Sequence, residues 1–510
     1  MDGNFHALLR ARFARRPERP CLVAADRVWT YGEIDALSAG YAEALRQAGV
    51  SPGERVVTQV DKSPHAVALY LACLRSGAVA VPLNTAYTPA EVGYFLSDAA
   101  PAAFVCRPED AGAHAGAARA AGARTLTLEA NGGGTLRAVA GVDADSPSAP
   151  RAADDLAAIL YTSGTTGRSK GAMLTHGNLA SNALTLHDYW GWREDDVLLH
   201  ALPIFHIHGL FVALHTAMLG ASAILFLPKF DVTAVRAALA RATVMMGVPT
   251  FYTRLLAEPD FGAAECARMR LFISGSAPLT AATHRAFQER TGHAILERYG
   301  MSEAGMIASN PLHGQRLAGT VGFALPGISV RVRDREGRLA TGQPGTIEVR
   351  GPNVFKGYWR MPERKADDFT DDGYFITGDL GVLAPDGRLS IVGRAKNLII
   401  SGGFNIYPKE IESVLDGIDG VIESAVIGVP HPDFGEGAVA VLATVDGVPV
   451  DEKSIRAALD RALARFKHPK AIFTVRELPR NTMGKVQKNL LREAYRNAFS
   501  RAETKGTIEA

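Results

Sequence analysis

Residues 161–170 read Tyr-Thr-Ser-Gly-Thr-Thr-Gly-Arg-Ser-Lys, a stretch rich in glycine and hydroxyl side chains that ends in a lysine. It follows the apolar run Leu-Ala-Ala-Ile-Leu at 156–160, which predicts a buried strand whose end opens into a loop. Glycines let a ligand approach the backbone, hydroxyls donate hydrogen bonds and Lys170 adds positive charge. The combination predicts binding of a nucleoside triphosphate and is less typical of a flexible surface linker.

The loop differs from the common phosphate loops. Lys170 follows Ser169 and precedes Gly171, whereas a Walker A motif needs Gly-Lys followed by Ser or Thr. The pair Gly484-Lys485 is followed by Val486 and also fails that test. No Gly-x-Gly-x-x-Gly follows a predicted strand, so the sequence argues against the two most frequent nucleotide-binding motifs.

Composition indicates an ordinary globular protein. The 510 residues are 47% hydrophobic and 21% charged, enough for two or more domains with large cores. Because 55 Lys and Arg residues nearly balance 53 Asp and Glu residues, the net charge of +2 does not favour nucleic acid or an anionic membrane as a partner. No apolar run is long enough to span a membrane.

The four cysteines, Cys21, Cys73, Cys106 and Cys266, are widely scattered. Without a Cys-x-x-Cys pair they favour a reducing compartment over a disulfide framework or a zinc site. The first residues carry four arginines, but Phe5, Leu8, Leu9 and Phe13 fit an amphipathic helix better than a mitochondrial presequence. We therefore expect a cytoplasmic protein.

The order of apolar and amphipathic segments predicts an α/β fold. Short apolar strands alternate with helical patterns over residues 20–110, as in parallel sheets. Strand and turn signals over 327–392 predict a smaller β-rich subdomain, and the last hundred residues predict a compact α+β unit.

Several further motifs place polar residues directly after an apolar run. They are Leu-Phe-Ile-Ser-Gly-Ser-Ala-Pro-Leu at 271–279, Leu-Glu-Arg-Tyr-Gly-Met-Ser-Glu at 296–303 and Phe-Ile-Thr-Gly-Asp at 375–379. His206 and His208 lack a third ligand at matching spacing, so a buried structural role is favoured over a metal site.

Taken together, these motifs closely resemble those of the acyl-adenylate-forming superfamily, which includes acyl-CoA synthetases, adenylation domains and luciferases. The resemblance implies an N-terminal adenylation domain at 1–395, with several subdomains, and a small mobile C-terminal domain at 396–510 that pivots at Lys396. It implies ATP, Mg²⁺ and coenzyme A as ligands. It further implies that Lys485 is the adenylation lysine and that Gly402, Gly403 and Phe404 line the CoA channel.

The resemblance assigns the remaining nucleotide and catalytic roles. Glu303 and Thr162 are expected to hold Mg²⁺ and, with Lys485 and His206, to form the catalytic group. The residues expected to bind ATP are Thr162, Ser163, Gly164, Thr165, Thr166, Gly167, Lys170, Ser276, Ala277, Pro278, Glu297, Tyr299, Gly300, Met301, Ser302, Asp379 and Arg394.

Within the superfamily, the chain resembles the bacterial malonyl-CoA synthetases nearly end to end. A small dicarboxylate needs a second cation, because burying its distal carboxylate unpaired would cost several kcal/mol. Arg254 and Arg298 are the predicted cations, and long-chain and aryl-CoA ligases usually have a small residue at the latter position. Ser274, Ile207 and Met306 complete the predicted acid pocket, with Met306 closing it.

Ile207 departs from the Thr that malonyl-CoA synthetases commonly have, so methylmalonate stays open as an alternative substrate. Acetate or an aryl acid, transfer of the acyl group to a carrier protein, and a non-catalytic nucleotide-binding protein are further alternatives. The resemblance also suggests a lysine acetyltransferase as a partner that would remove the charge of Lys485.

Overall fold

The computed structural model describes residues 3–162, 169–334, 336–401, 404–448, 450–481 and 484–499. The strands are β1 (Pro20–Val23), β2 (Val28–Thr30), β3 (Arg55–Gln59), β4 (Val79–Pro82), β5 (Ala103–Cys106), β6 (Arg124–Thr127), β7 (Leu156–Thr162), β8 (Lys170–Thr175), β9 (Val197–His200), β10 (Ala223–Phe226), β11 (Val244–Gly247), β12 (Leu271–Ser274), β13 (Leu296–Met301), β14 (Gly305–Ser309), β15 (Phe323–Ala324), β16 (Ser329–Arg333), β17 (Pro344–Arg350), β18 (Phe375–Leu383), β19 (Leu389–Arg394), β20 (Ile399–Ser401), β21 (Phe404–Ile406), β22 (Val421–His431), β23 (Gly435–Thr444) and β24 (Ala471–Val475).

The α-helices are α1 (Phe5–Phe13), α2 (Tyr31–Gln47), α3 (Pro64–Ser76), α4 (Pro89–Ala99), α5 (Ala111–Ala120), α6 (His176–Tyr189), α7 (His215–Leu219), α8 (Val232–Leu239), α9 (Pro249–Leu256), α10 (Ala281–Thr291), α11 (Lys365–Asp368), α12 (Pro408–Leu415), α13 (Glu452–Ala462) and α14 (Lys488–Ala494). A π-helical segment, His208–Leu214, leads directly into α7.

Local sequence signals explain where the helices begin and end. Ser63 caps α3 by accepting a hydrogen bond from the backbone N–H of Ala66 at 3.1 Å, and Pro64 follows at the first helical position. Gly77 ends the helix with a φ of 73°, a left-handed conformation that glycine adopts readily. The helix between these signals is almost wholly buried.

Two large sheets form the N-terminal part of the protein. The nine-stranded sheet has the order β15-β14-β13-β12-β11-β9-β10-β1-β2, and the six-stranded sheet has the order β6-β5-β3-β4-β7-β8. In both, the central strands run parallel. The carboxyl ends of β7, β9, β12 and β13 carry the motifs identified in the sequence, where parallel sheets usually bind ligands.

Two smaller sheets follow. The antiparallel order β16-β17-β18-β19 forms the β-rich subdomain, and the C-terminal sheet has the order β21-β20-β23-β22 with β24 beside β23. The chain leaves the first of these sheets at Arg394 and enters the second at Ile399. The predicted α/β class is therefore confirmed, while a boundary between 395 and 396 stays a prediction.

Several smaller expectations can be compared with the structure. Phe5, Leu9 and Phe13 are buried on one face of α1, as an amphipathic helix requires. All four cysteines are free and buried. Within the described ranges, every helix is too short or too polar to cross a bilayer.

Candidate active site

A carboxylate, two hydroxyls and a lysine meet where β7 and β13 end. The Thr162 hydroxyl donates to Glu303 Oε1 at 3.3 Å, and the Tyr358 hydroxyl donates to the same oxygen at 2.9 Å. Glu303 is buried, and the Lys170 ammonium lies 4.9 Å from the centre of the Tyr358 ring. This arrangement offers hard oxygen ligands and positive charge at one place, which suits a magnesium-bound polyphosphate.

Asp379 is held from two sides. The Tyr299 hydroxyl donates to its Oδ2 at 2.5 Å, and Arg394 Nε lies 2.6 Å from its Oδ1. Arg394 stands directly opposite Asp379 in the pairing of β18 with β19, so the sheet register creates this ion pair. Burial, reinforced by the charge of Asp379, raises the pKa of Tyr299. Each carboxylate oxygen retains lone-pair capacity for a hydroxyl donor such as a ribose.

Glu297 is a buried acid on β13. Its Oε1 accepts from the Leu279 backbone N–H at 3.3 Å, while its Oε2 has no hydrogen-bond partner among the described residues. Burial raises its pKa to about 7, against the smaller opposing effects of the Leu279 hydrogen bond and Lys409. The side chain can therefore change charge near neutral pH.

Lys485 reaches this cleft from the C-terminal unit. The residue is exposed, and the charges of Arg394, Asp379, Glu303 and Arg298 act on its ammonium. Loss of water around the ammonium, reinforced by the charge of Arg394, lowers the pKa of Lys485 against the opposing effect of the Asp379 and Glu303 carboxylates. A β-carbon added at Gly484 would lie 3.1 Å from Thr250 Oγ1, so the lysine loop packs against the start of α9. The structure therefore brings Lys485 to the predicted nucleotide site.

Arg298 is a buried cation, and two of its three guanidinium nitrogens have no hydrogen-bond partner within the described part of the chain. The residue is 3% exposed, and its Nε and Nη2 have no partner among the described residues. Burial lowers the pKa of Arg298 to about 9, which still leaves it charged at neutral pH. A β-carbon at Gly275 would lie 2.4 Å from Cζ of Arg298, so this position must be glycine to admit the guanidinium.

His206 and His208 lie beside Arg298. The His208 backbone N–H donates to Nδ1 of His206 at 3.3 Å, so the proton of neutral His206 is on Nε2. Nδ1 of His208 lies 3.1 Å from the Ser276 hydroxyl, while its Nε2 has no described partner. Burial, with Lys485 and Arg298 adding to it, lowers the pKa of His206 to about 3. Both imidazoles are therefore neutral at physiological pH.

Two asparagines fix the strand that carries Met306. Asn182 donates to the Met306 carbonyl at 3.0 Å and accepts from its backbone N–H at 3.1 Å. Asn353 donates to the same carbonyl at 3.2 Å. The Met306 thioether packs so closely on Gly300 that a β-carbon there would lie 2.3 Å from its Cε. A small cavity behind this strand is lined by Asn182, Ile207 and Gly305 among others.

Not every predicted residue joins this cluster. Arg254 is exposed in the last turn of α9, where its charge acts on Arg480 of the C-terminal unit. Arg254 is thus an exposed residue at a helix end, whereas Arg298 is buried, and a role for Arg254 in the acid pocket stays a prediction. Ser274 is buried at the end of β12, and its hydroxyl lacks a partner among the described residues.

The other predicted positions fall at the edges of the site or outside the described ranges. Ser276 has a φ of 73°, a left-handed conformation that is strained for a residue other than glycine. Ser276, Ala277, Gly300, Met301 and Ser302 are partly exposed, and Pro278 is exposed. Lys396 lies in the short segment Ala395–Asn397 between two sheets. The predictions for Ser163, Gly164, Thr165, Thr166, Gly167, Gly402 and Gly403, and for the Phe404 side chain, lie outside the described residues.

Sequence reasoning missed three residues of the site. No motif marked Tyr358, which reaches Glu303 because residues 356–359 pair with β8. Asn182 lies in α6, and nothing in the sequence pattern of that helix distinguishes it from other polar residues. His208 was weighed only as a metal ligand or core residue, although its position two residues after His206 was a signal for a pocket role.

A metal at this site would need ligands from the substrate. Within the described ranges, no group of three or more His, Cys, Asp or Glu side chains could hold a metal by itself. The Thr162 hydroxyl and Glu303 carboxylate are nevertheless suitable ligands for Mg²⁺, which usually keeps waters and binds substrate phosphates.

Comparison with known proteins supplies the family. The sequence model of the AMP-binding enzyme family matches residues 9–359, and that of the AMP-binding enzyme C-terminal domain matches residues 410–485. The crystal structure of ATP-bound MatB from Rhodopseudomonas palustris is 52% identical, with a TM-score of 0.95, covering 98% of this chain and 100% of that chain.

Two curated relatives extend the comparison. A feruloyl-CoA synthase from an Amycolatopsis species is 38% identical over 91% of this chain and 94% of its own length. A malonate–CoA ligase from Arabidopsis thaliana is 35% identical over 97% of this chain and 90% of its own length. The residues gathered at the strand ends and these matches agree, and the chain belongs to the AMP-binding enzyme family.

Proposed function

We propose that this protein is an ATP-dependent malonate–CoA ligase. A carboxylate oxygen of malonate attacks the α-phosphorus of ATP, and pyrophosphate leaves to give malonyl-AMP. The sulfur of CoA, having lost its proton, then attacks the acyl carbonyl, AMP leaves, and malonyl-CoA forms. Both steps need a site that brings anions together and excludes water from the labile mixed anhydride.

The observation that carries the choice of acid is the buried Arg298 guanidinium. Its Nε and Nη2 lack partners among the described residues, and leaving a charged group unpaired in the interior costs several kcal/mol. A second carboxylate on the acid would remove this cost by accepting those two donors. The Ser274 hydroxyl and Nε2 of His208 supply further unpaired polar atoms in the same region.

The nucleotide half of the site supports the adenylation step. Lys170 and Lys485 would neutralise phosphate charge, and Asp379 would accept hydrogen bonds from the ribose hydroxyls. Thr162 and Glu303 would hold Mg²⁺, which when bound neutralises phosphate charge. Neutral His206, with its proton on Nε2, would lie between the acid and the thiol entrance and could donate a hydrogen bond there.

The second step requires Lys485 to leave. In the structure this lysine lies among Arg298, Glu303, Asp379 and Arg394, which fits the adenylation arrangement. We propose that the C-terminal domain, from residue 396 onward, pivots at Lys396 and brings the Gly402-Gly403 segment to the CoA channel. Such a hinge motion would let one acyl-adenylate face two different chemical groups in turn.

The relatives support this choice without deciding it alone. The malonate–CoA ligase argues for a dicarboxylate, whereas the feruloyl-CoA synthase argues for an aryl acid. An aryl acid has no second carboxylate for Arg298, which is why we favour malonate. Methylmalonate is the second candidate, because Ile207 is a buried apolar residue in the predicted pocket. The buried, unpaired cysteines suit a reducing compartment, and we propose the cytoplasm.

A product assay tests the proposal directly. Purified protein with ATP, Mg²⁺, CoA and malonate should release equal amounts of AMP, pyrophosphate and malonyl-CoA, identified by mass spectrometry. Methylmalonate, acetate and ferulate should give lower kcat/KM. Faster turnover of ferulate or acetate than of malonate would overturn the substrate assignment, and sustained turnover with a carrier protein in place of CoA would overturn the acceptor.

Lys485 also suits control by acetylation. Lys485 is an exposed residue whose ammonium is influenced by the carboxylates of Asp379 and Glu303, so an acetyltransferase acting on the open form would remove a charge that adenylation uses. Lys485 acetylated at full occupancy should form malonyl-AMP far more slowly, while thioester formation from added malonyl-AMP should continue. Full-rate adenylation by the acetylated protein would contradict this role.

A further inference from the structure

Lys62, which has no proposed role in the reaction, contacts β9, the strand that precedes the loop carrying His206 and His208. Lys62 Nζ lies 2.9 Å from Nδ1 of His200, 3.0 Å from the His200 carbonyl and 2.5 Å from the Leu227 carbonyl. It also lies 4.4 Å from the centre of the Phe226 ring. Lys62 follows β3 of the six-stranded sheet. His200 and Phe226 end β9 and β10 of the nine-stranded sheet, and Leu227 directly follows β10, so the Lys62 side chain joins the two sheets.

The hydrogen bonds define the charge of both side chains. Nε2 of His200 lies 3.0 Å from the Gly209 carbonyl, which can only accept, so the imidazole proton is on Nε2. Nδ1 is then an acceptor and Lys62 is its donor. Burial lowers the pKa of Lys62 and so opposes its charge. Its three hydrogen-bond acceptors, however, need three N–H donors, which only the ammonium form has. The contacts are therefore those of charged Lys62. Burial and Lys62 together keep His200 neutral.

The hydrogen-bond relay Lys62–His200–Gly209 ends at the loop that carries His206 and His208. His200 ends β9, and Gly209 lies in the π-helical segment His208–Leu214. A β-carbon at Gly209 would lie 2.0 Å from the Pro203 carbonyl oxygen, so residues 203–209 form a tightly closed loop. His206, Ile207 and His208 lie within it. π-helical segments are rare and frequently occur at functional sites.

We infer that Lys62 and His200 are positioning residues for the acid pocket, acting through the Gly209 carbonyl to fix the loop that presents His206 and His208. This inference rests on the proposed acid:CoA ligase activity but not on malonate as the acid. Neither residue touches a reacting atom. Their loss should let the loop relax, so that binding of the acid weakens while the nucleotide half of the site, which is built on other strands, keeps its affinity.

The experiment separates this role from a structural one. Lys62→Met and His200→Leu remove the relay at each end, whereas His200→Gln keeps one acceptor for Lys62 and one donor for Gly209. His6→Leu is the matched control, because His6 is also a fully buried neutral imidazole but bonds to Ser148 in a different region. Thermal melts establish that each variant is folded, and KM for the acid and for ATP are measured separately.

Lys62→Met and His200→Leu should each raise KM for the acid about tenfold, the factor expected if the free energy of about one buried hydrogen bond is lost from acid binding, with KM for ATP changed less than about twofold. His200→Gln should stay within about threefold of wild type, and His6→Leu should change neither KM. Because Lys62→Met probes the same relay, the test stands even where His200→Leu does not fold.

Two results would overturn the inference. One is an unchanged KM for the acid in Lys62→Met and in each His200 variant that folds; the other is an equal rise in both KM values, which would indicate a general structural role. If the wild-type protein does not activate malonate but activates another acid, the proposed substrate would be refuted and the inference about Lys62 and His200 would not. The same comparison of KM values, made with that other acid, would still decide the role of the relay.

Discussion

The Tyr358 hydroxyl donates a 2.9 Å hydrogen bond to Oε1 of Glu303, the same oxygen that accepts from Thr162. Tyr358, which belongs to none of the motifs found in the sequence, therefore orients the Glu303 carboxylate that is proposed to bind the metal. Removing a hydrogen bond to a charged group costs about 1.5–3 kcal/mol, so Tyr358→Phe should slow adenylation by about tenfold or more and raise the Mg²⁺ concentration needed for half-maximal rate.

Stopped-flow pyrophosphate release over a Mg²⁺ titration measures both effects. Tyr374→Phe is a suitable control, because its hydroxyl lies 2.7 Å from a serine hydroxyl in the β-rich subdomain rather than from Glu303. An unchanged Mg²⁺ dependence in Tyr358→Phe would show that Glu303 does not need this support.

Asn182 should influence which acids fit. Asn182→Ala removes both hydrogen bonds to the Met306 backbone and joins the proposed pocket to the small cavity beside Ile207. We expect kcat/KM for methylmalonate and ethylmalonate to rise about tenfold relative to malonate, because losing the two Asn182 hydrogen bonds to the Met306 backbone would let Met306 yield to a larger acid. Steady-state kinetics with the three acids measures this ratio.

Asn178→Ala, on the same helix, serves as the comparison. Asn178 donates to the carbonyls of Pro352 and Val354 and makes no hydrogen bond to Met306. A similar change of preference in both variants would mean that loosening of α6, rather than release of Met306, alters the pocket.

Glu297 should make stability depend on pH. Burial raises its pKa to about 7, so the folded state holds this proton more tightly than the unfolded state does. The associated stability is fully present below the ordinary pKa near 4.5 and is lost as pH rises through about 7. Glu297→Gln removes the ionisation and should be more stable than wild type at pH 8, by on the order of 1–3 kcal/mol.

Thermal melts of the nucleotide-free protein from pH 5 to pH 8 test this expectation. The difference between Glu297→Gln and wild type should shrink steadily toward pH 5, where the wild-type side chain is also neutral. A difference that is the same at every pH would show that the amide substitution acts through packing or hydrogen bonding instead of ionisation.

The sequence predicted the parts of the fold that local signals encode. The short apolar run Leu156 to Leu160 lies in β7, which continues two residues beyond the predicted strand to Thr162, and the run ending at Ser274 is β12. The family and the α/β class were confirmed. These succeeded because an apolar strand and the polar loop after it are adjacent in the chain.

Contacts between segments that are far apart in the chain could not be predicted from local sequence patterns. Asn182 and Met306 are 124 residues apart, and Lys62 and His200 are 138 apart. The role of Arg254 stays a prediction, because an arginine at the end of an apolar run fits both a pocket and a solvent-facing helix end, and the residue is exposed in the structure.

The central claim is that the buried charge of Arg298 selects an acid with a second carboxylate. The most direct test compares wild type with Arg298→Met, a substitution of similar length without charge, by ATP–pyrophosphate exchange with malonate and with propionate. Loss of a buried charge pair costs about 3–5 kcal/mol, so kcat/KM for malonate should fall at least about a hundredfold while that for propionate is unchanged or rises. Malonate activation that survives in Arg298→Met, or equal losses for both acids, would contradict the account.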